Sequence, residues 1–201
     1  MPRRTLVLAS GSPARLRLLT DAGIDPVVVV SGVDEDAFDP DDIPGSVAAL
    51  AAAKAEAVAR PGGPDLVLGC DSMLEFDGRP YGKPATPAEA RDWLVSMRGR
   101  TGVLHTGHCL IDEPTGARAE SAVATMVRFG VTSDEELDAY LSFPDALGVA
   151  GAFTLDGRSA PFVDGIDGDH GNVIGLSLPA LRSLLGKLGV GMADLWRDGP
   201  G

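Results

Sequence analysis

The sequence predicts a mixed α/β fold, and three features of the chain support that prediction. Short apolar runs alternate with helix-like segments in the first half, longer strand-like runs dominate the second half, and Gly, Pro and Asp separate the segments. The chain has 201 residues, which fits one large domain or two small lobes better than two independent domains. We therefore expect one domain over residues 1–201, with a sheet flanked by helices and a cleft between two lobes.

The composition argues against several classes of function. The net charge is −12, with 17 basic and 29 acidic residues, and such a surface repels a nucleic-acid backbone. No apolar run is long enough to span a bilayer, and Arg3 and Arg4 precede too few apolar residues for a signal peptide. We expect a cytoplasmic protein with no nucleic-acid or membrane partner. We interpret Cys70 and Cys109 as buried thiols in a reducing compartment.

Local patterns predict the elements of the first half. Three apolar runs predict strands, at residues 5–9, 27–30 and 66–70, and the first and the last of these are expected to be buried. Helical periodicity over residues 13–22 predicts a short amphipathic helix that Gly23 ends. Ser46 is the expected N-cap of an alanine-rich helix that reaches to about Arg60.

The second half is richer in predicted strands. Capping-box patterns at Thr86 and Ser133 predict two helix starts, and the first of these helices ends near Met97. The runs at residues 103–111 and 117–129 flank the turn sequence DEPTG, which predicts a hairpin. A last amphipathic helix is expected over residues 179–188. The tail, about residues 190–201, is expected to fray.

The turn after the first strand carries the sharpest functional signal, within residues 6–19. Ser10, Gly11 and Ser12 lie between a strand and a helix, and Pro13 takes the first helical position. A helix N-terminus offers unpaired N–H groups to an anion, the serines add hydroxyls, and Arg15 has the geometry to fork a phosphate. The alternative is that Ser12 only caps the helix and Arg15 is a surface charge. The pattern alone favours this alternative, because caps are common.

Two further cations and several acids are candidates for the same site. Lys54 interrupts the apolar stripe of its predicted helix, so it either snorkels to solvent or meets a partner in a cleft. Asp71 follows a predicted buried strand, where α/β sheets bind ligands, and Lys83 lies on a turn before proline. An acidic cluster at residues 34–36 follows the second strand, and one of its carboxylates is expected to share a magnesium or manganese ion with Asp71. The plainer interpretation is that Asp71 is a helix-cap or turn residue and that the acidic cluster is a solvated loop.

The histidines are poor candidates. His105 and His108 are three residues apart, which on a strand directs them to opposite faces, so they do not form a metal pair. The sequence contains no nucleophile triad motif, Walker A motif or dinucleotide fingerprint.

Several motifs together resemble the Maf family of house-cleaning nucleoside triphosphate pyrophosphatases, also known for inhibition of septum formation. They are LASGSPARLRLL, VDED, AAAKAEAVA, VLGCDSMLEFDGRPYGKPATPAEARDWL and VAGAF…GNVIGLSLPAL, in the family's order over roughly residues 5–188. The resemblance implies an elongated, two-lobed mixed sheet with flanking helices, similar to the inosine triphosphatases. It implies hydrolysis of a nucleoside triphosphate to the monophosphate and pyrophosphate, with magnesium, manganese or cobalt as cofactor. A homodimer is possible, because dimers are common in the family.

The resemblance also implies residue roles. The side chains that match the family's phosphate-binding positions are Ser10, Ser12, Arg15, Lys54 and Lys83. Asp71 matches the catalytic aspartate, which we interpret as the general base or water-orienting group and as a metal ligand. Glu35 matches the acid that helps to hold the metal.

The chain departs from the family pattern on the side expected to recognise the base. Ala14 stands where many members have the first arginine of a pair, and Ser72 replaces a frequent threonine. Val149 and Asp156 align with a lysine and a glutamine, and Gly102 with a histidine. We take Ala14, Ser72 and Asp156 as candidate specificity positions and assign no base.

Two other functions stay open at this point. One is a nucleotide-binding regulator of cell division with little or no catalysis. This alternative stays open because Ala14 stands where many family members have an arginine. The other is a phosphatase acting on sugar phosphates. The products released from a nucleoside triphosphate distinguish all three hypotheses.

Overall fold

The computed structural model describes residues 4–34, 39–63 and 65–197, and its centre is a seven-stranded sheet. The strands are β1 (Leu6–Leu8), β2 (Val27–Val28), β3 (Leu66–Phe76), β4 (Arg79–Tyr81), β5 (Thr101–Asp112), β6 (Ala117–Phe129) and β7 (Val163–Asp167). Their order is β2-β1-β3-β5-β6-β7, and β4 pairs with the far end of β3. β1 runs parallel to β2 and β3, whereas the other pairs are antiparallel. The predicted mixed α/β class is confirmed.

The long hairpin of β5 and β6 follows the prediction closely. Residues 101–112 pair in register with residues 117–128. The connecting turn is closed by the Gly116 N–H, which donates to the Asp112 carbonyl over 2.8 Å. Gly116 has φ of 70°, a conformation that glycine adopts without strain.

Six α-helices surround the sheet in the described residues: α1 (Pro13–Asp21), α2 (Ile43–Val58), α3 (Pro87–Met97), α4 (Asp134–Leu141), α5 (His170–Ile174) and α6 (Leu178–Lys187). Thr86 and Ser133 cap α3 and α4 as predicted. The prediction for α2 is wrong: the helix begins three residues before Ser46, and Asp42 caps it by accepting from the Gly45 N–H. Ser46 instead bonds to the backbone of Asp39. None of these helices is long and apolar enough to cross a bilayer.

The two faces of the sheet bury different sets of side chains. On one face, α1 and α6 cover the apolar residues at the start of β3, while α3 and α4 cover those at its end. On the other face, α2 packs on a smaller cluster that includes Val67 and Cys109. α2 lies unusually close to the strands, because a Cβ on Gly69 would lie 2.1 Å from the Ala51 carbonyl oxygen. The division into two lobes around a cleft stays a prediction.

Some boundaries differ from the sequence-based expectations. The strand expected over residues 66–70 continues as β3 to Phe76, so Asp71 lies inside the strand and not just past its end. Strand pairing with β5 carries β3 through its polar stretch, which a search for apolar runs cannot detect. In the tail expected to fray, Leu195 is buried and the Arg197 N–H donates to the Gly23 carbonyl over 2.8 Å. Residues 198–201 lie outside the described ranges.

Candidate active site

The candidate site lies where β3 changes partners along one of its edges. β5 pairs with β3 along almost its whole length on one side. On the other side, β1 covers residues 66–68 and β4 covers residues 74–76. Within the described chain, residues 69–73 thus have no strand partner on that edge. We call this stretch the β3 gap.

Two connections that carry predicted site residues reach the gap from its two ends. The turn after β1 begins at Ala9, whose N–H donates to the Leu68 carbonyl over 2.8 Å. After β4, a Cβ on Gly82 would lie 3.5 Å from the Met73 methyl carbon. Lys83 follows Gly82 directly and is exposed, so the chain brings this cation to the end of the gap opposite the β1 turn.

A buried ion pair joins α2 to the β3 gap. The Lys54 ammonium lies 2.5 Å from Asp71 Oδ1, and both residues are only 6% exposed. Two charges removed from water are tolerated when each neutralises the other. Lys54 therefore does not snorkel to solvent, because its ammonium meets a buried partner.

A second buried cation, Arg15, approaches the gap through neutral contacts. Its guanidinium donates to Ser10 Oγ over 3.0 Å, to Ser72 Oγ over 3.0 Å and to the Gly175 carbonyl over 2.8 Å. All three acceptors are neutral, and no carboxylate of the described residues forms an ion pair with Arg15. Arg15 is 9% exposed, so the interpretation as a surface charge is wrong. A buried guanidinium with neutral acceptors retains its charge for an anionic ligand.

The two cations lie on opposite sides of the sheet. Side chains alternate along a strand, so Asp71 and Ser72 point to opposite faces. The Lys54 ammonium meets Asp71 on the α2 face, and the Arg15 guanidinium meets Ser72 on the other. In the described residues, the gap leaves this edge of β3 without a neighbouring strand between the two faces.

The turn at Ser10 and Ser12 is both a helix cap and a donor site. Ser12 caps α1 by accepting from the Arg15 N–H over 3.4 Å, as the plainer interpretation proposed. Ser10 Oγ accepts from the Ser12 N–H over 3.2 Å as well as from the Arg15 guanidinium. In each contact the serine oxygen is the acceptor, so each hydroxyl keeps its own hydrogen for a ligand.

The remaining predicted residues lie around this centre. Ala14 is half-buried in the first turn of α1, next to the Ser10 turn. Asp156 Oδ2 lies 3.0 Å from the Arg17 guanidinium, which connects its loop to α1. Glu35, the predicted second metal ligand, lies outside the described residues, so its position stays a prediction.

The described residues contain no cluster of three or more His, Cys, Asp or Glu side chains suited to a metal. Asp71 fits a simpler arrangement, because its ion pair with Lys54 is made through Oδ1 and its second carboxylate oxygen, Oδ2, is a hard donor suited to a cation. Magnesium is typically held by one or two carboxylates together with substrate phosphates and waters. The donor chemistry at the gap therefore fits a metal that is bound jointly by protein and substrate.

The two strand histidines make separate structural contacts. His105 Nε2 lies 2.8 Å from Glu75 Oε2, whereas His108 Nε2 accepts from the Ser177 N–H over 2.9 Å on the opposite face. Burial, with a smaller contribution from the Arg15 charge, lowers the pKa of His108 to about 4. His108 is therefore neutral at physiological pH and acts as an acceptor.

Both cysteines are buried free thiols. Burial raises the pKa of Cys70 to about 11 and that of Cys109 to about 12. The thiols are therefore protonated near neutral pH and unsuited to nucleophilic chemistry.

Sequence reasoning missed three residues that hold the site together: Thr106, Asn172 and Gly175. Thr106 lies opposite Ser72 on β5, a position that only the register reveals. Asn172 and Gly175 come from the segment GNVIGLSLPAL, which contributed to the family resemblance without any residue in it being assigned a role. That segment was the available signal.

Comparisons with known proteins identify the family to which the chain belongs. The family model described as Maf-like protein matches residues 5–188. Curated proteins named nucleoside triphosphate pyrophosphatase from Streptomyces avermitilis and Streptomyces coelicolor are each 56% identical over 199 residues, covering 97% of this chain and 96% of the relative. One from Salinispora tropica, with the same name, is 51% identical and covers 96% of this chain and 88% of its own length. The chain belongs to the Maf family.

Proposed function

We propose that the protein is a nucleoside triphosphate pyrophosphatase, which hydrolyses the α–β phosphoanhydride to release a nucleoside monophosphate and pyrophosphate. One observation carries the proposal. A neutralised Lys54–Asp71 pair and an Arg15 guanidinium that forms no ion pair among the described residues meet at the same gap in the sheet edge. A phosphate chain laid across this edge reaches a carboxylate on one face and a buried positive charge on the other.

Each described side chain has a role that follows from its position. Arg15 and the N-terminus of α1 bind phosphate oxygens, with hydrogen bonds from Ser10 and Ser12. Lys83 neutralises charge at the other end of the gap. Asp71 orients the attacking water or accepts its proton, and Lys54 holds that carboxylate in place.

We further propose that a divalent cation, magnesium, manganese or cobalt, is the cofactor. Asp71 would hold it through Oδ2, with Glu35 as the second protein ligand. When bound, such an ion neutralises charge on the phosphates and polarises the bond to be broken. We also propose that the enzyme acts in the cytoplasm, that it binds no nucleic acid, and that a homodimer is its possible assembly.

The test is a panel of standard, deoxy and modified nucleoside triphosphates, assayed for both pyrophosphate and orthophosphate with each metal. Pyrophosphate with the matching monophosphate supports the proposal. Orthophosphate alone would assign a different reaction class. Tight binding of a triphosphate without turnover across the panel would favour the division-regulator alternative.

Asp71→Asn tests the assigned base directly. We expect the turnover number to fall by at least about 10²-fold, because the amide can neither accept the proton nor hold a cation as a carboxylate does. Asp77→Asn is the matched control, since Asp77 is an exposed carboxylate paired with Arg100 and should leave activity unchanged. Wild-type turnover in Asp71→Asn would remove Asp71 from the mechanism.

A further inference from the structure

A chain of hydrogen bonds runs from Arg15 into the core behind the candidate site. The Arg15 guanidinium donates to Ser72 Oγ over 3.0 Å, and Ser72 Oγ lies 3.0 Å from Thr106 Oγ1. Thr106 Oγ1 in turn donates to the Asn172 carbonyl over 2.9 Å. Thr106 and Asn172 are fully buried. We call these four residues the Asn172 chain.

The carbonyl at the end of the chain fixes the direction of every hydrogen in it. A carbonyl only accepts, so the Thr106 hydroxyl must donate its single hydrogen to the backbone carbonyl of Asn172. Thr106 Oγ1 can then only accept from Ser72, whose own hydrogen points inward. The oxygen of Ser72 is left to accept from Arg15. Ser72 therefore has no hydrogen left for a ligand, although sequence reasoning took it as a specificity position.

Asn172 anchors the segment whose Gly175 carbonyl accepts a hydrogen bond from Arg15. Its side-chain amide donates to the Leu104 carbonyl and to Thr125 Oγ1, each over 3.1 Å, and so fixes α5 to strands β5 and β6. The same short segment ends at Gly175, whose carbonyl accepts from the Arg15 guanidinium over 2.8 Å. Both the Ser72 contact and the Gly175 contact of Arg15 thus depend on where Asn172 sits.

We propose that Thr106 and Asn172 are positioning residues for Arg15, and that Ser72 transmits their effect and does not select the substrate. A guanidinium that forms no ion pair in the described structure relies on its neutral acceptors for orientation. If the guanidinium N–H groups of Arg15 are not aligned with the phosphate oxygens, their hydrogen bonds to the phosphate are much weaker. The role of Arg15 in gripping the phosphate chain rests on the proposed function, but its orientation by this chain does not.

A double-mutant cycle between Thr106 and Arg15 tests the inference. Thr106→Val keeps the branched shape and removes only the hydroxyl. We expect it to weaken binding of inorganic tripolyphosphate, measured by calorimetry, by about 3- to 10-fold. Thr106→Ser should restore binding. In an Arg15→Lys background, Thr106→Val should have almost no further effect, because the group that it positions is already gone.

Thr20→Val is the matched control, since it deletes a threonine hydroxyl that donates to the Leu16 carbonyl away from the gap. Thermal unfolding shows whether each variant is folded, and Ser72→Ala replaces Thr106→Val if the latter is not. Equal losses in the wild-type and Arg15→Lys backgrounds would overturn the inference. So would a failure of Thr106→Ser to recover binding.

The same variants assayed for pyrophosphate release separate the two proposals. If the effects of Thr106→Val and Arg15→Lys on tripolyphosphate binding are coupled but no nucleotide yields pyrophosphate, the proposed function is wrong and the inference holds. If pyrophosphate is released but the two effects on binding are additive, the proposed function holds and the inference is wrong.

Discussion

At the scale of single residues, the site depends on how two buried cations are treated differently. Lys54 is neutralised by Asp71 at 2.5 Å, whereas Arg15 is surrounded by hydroxyl and carbonyl oxygens. Neutralisation suits a lysine that orients a carboxylate, and retained charge suits an arginine that must bind an anion. The difference between the two lies in the acceptors and not in burial, since both side chains are almost fully buried.

The Lys54–Asp71 pair should show strong energetic coupling. Lys54→Met leaves a buried carboxylate without its partner, and we expect a loss of about 3 kcal/mol in the free energy of unfolding. Asp71→Asn should also destabilise the fold, because it removes the charged acceptor that lies 2.5 Å from the Lys54 ammonium. The double variant should lose clearly less than the sum of the two. Urea unfolding monitored by circular dichroism measures all three, and additive losses would mean that the pair is not coupled.

His108 should make stability depend on pH. Its pKa of about 4 lies below the unfolded value of about 6.5, so the unfolded chain binds more protons between these two values. Stability is therefore fully present above pH 6.5 and falls as the pH drops towards 4. We expect about 2 kcal/mol of loss between pH 7.5 and pH 5 from this residue.

His108→Gln is the variant to compare, because its amide oxygen can still accept from the Ser177 N–H but does not titrate. Urea unfolding at the two pH values should show a smaller difference in this variant. His170→Gln, at an exposed histidine, should keep the wild-type difference. An unchanged pH dependence in His108→Gln would assign the effect to other groups.

Single residues could be predicted from the sequence best where chemistry alone marks them. A lysine within an apolar stripe is unusual enough that the residue pattern by itself marks Lys54. Ser12 was recognised as a helix cap, but nothing local shows that Arg15 is buried, because its acceptors lie up to 160 residues away in the chain. Thr106 and Asn172 are ordinary residues in sequence, and only the strand register brings them behind Ser72.

At the scale of elements, the approach of α2 to the sheet sets the Lys54–Asp71 distance. Two glycines permit it, since a Cβ on Gly69 or on Gly107 would lie 2.1 Å from a carbonyl oxygen of α2. Gly107 on β5 pairs directly with Asp71 on β3, so no side chain stands beside the carboxylate on that neighbouring strand. The short distance between ammonium and carboxylate is thus a consequence of missing side chains on the neighbouring strand positions.

Gly107→Ala should therefore damage both stability and catalysis. The added methyl group meets the Val47 backbone and forces α2 away from the sheet. We expect a loss of about 1–3 kcal/mol in unfolding free energy, with a fall in the turnover number as Lys54 is withdrawn from Asp71. Gly186→Ala in α6 is the matched control, since no atom beyond its chain neighbours and the adjacent backbone of its own helix lies within 4 Å of the added Cβ, and it should be neutral or slightly stabilising. Wild-type turnover in Gly107→Ala would show that α2 has room to adjust.

Elements were predicted well where a local cap or turn defines them, and less well where pairing does. The starts of α3 and α4 were correct because Thr86 and Ser133 carry complete local signals. The start of α2 was wrong because Asp42 and Ser46 are both competent caps, and tertiary contacts decide between them. The short strand β4 was missed, because its sequence has no apolar run and the strand is held by the long strand β3.

At the scale of the whole molecule, an acidic protein has to bind a polyanion. The net charge of −12 repels a nucleotide at long range. The fold offsets this repulsion locally, because it brings Arg15, Lys54 and Lys83 from separate segments of the chain to the β3 gap. The charge of Lys54 is already offset by Asp71. The positive charge left at the site is modest beside that of a triphosphate chain, and this shortfall is the physical argument for a divalent cation.

Removal of divalent cations should therefore abolish turnover. After treatment with EDTA and buffer exchange, we expect pyrophosphate release to fall by at least about 10²-fold. The reason is that only a metal both compensates the phosphate charge and polarises the bond to be broken. Added magnesium or manganese should recover the rate. Potassium chloride at matched ionic strength should not, since it screens charge but does not bridge a carboxylate and a phosphate. Full activity in the EDTA-treated protein would mean that Arg15, Lys54 and Lys83 suffice, and that the Asp71 carboxylate serves the attacking water alone.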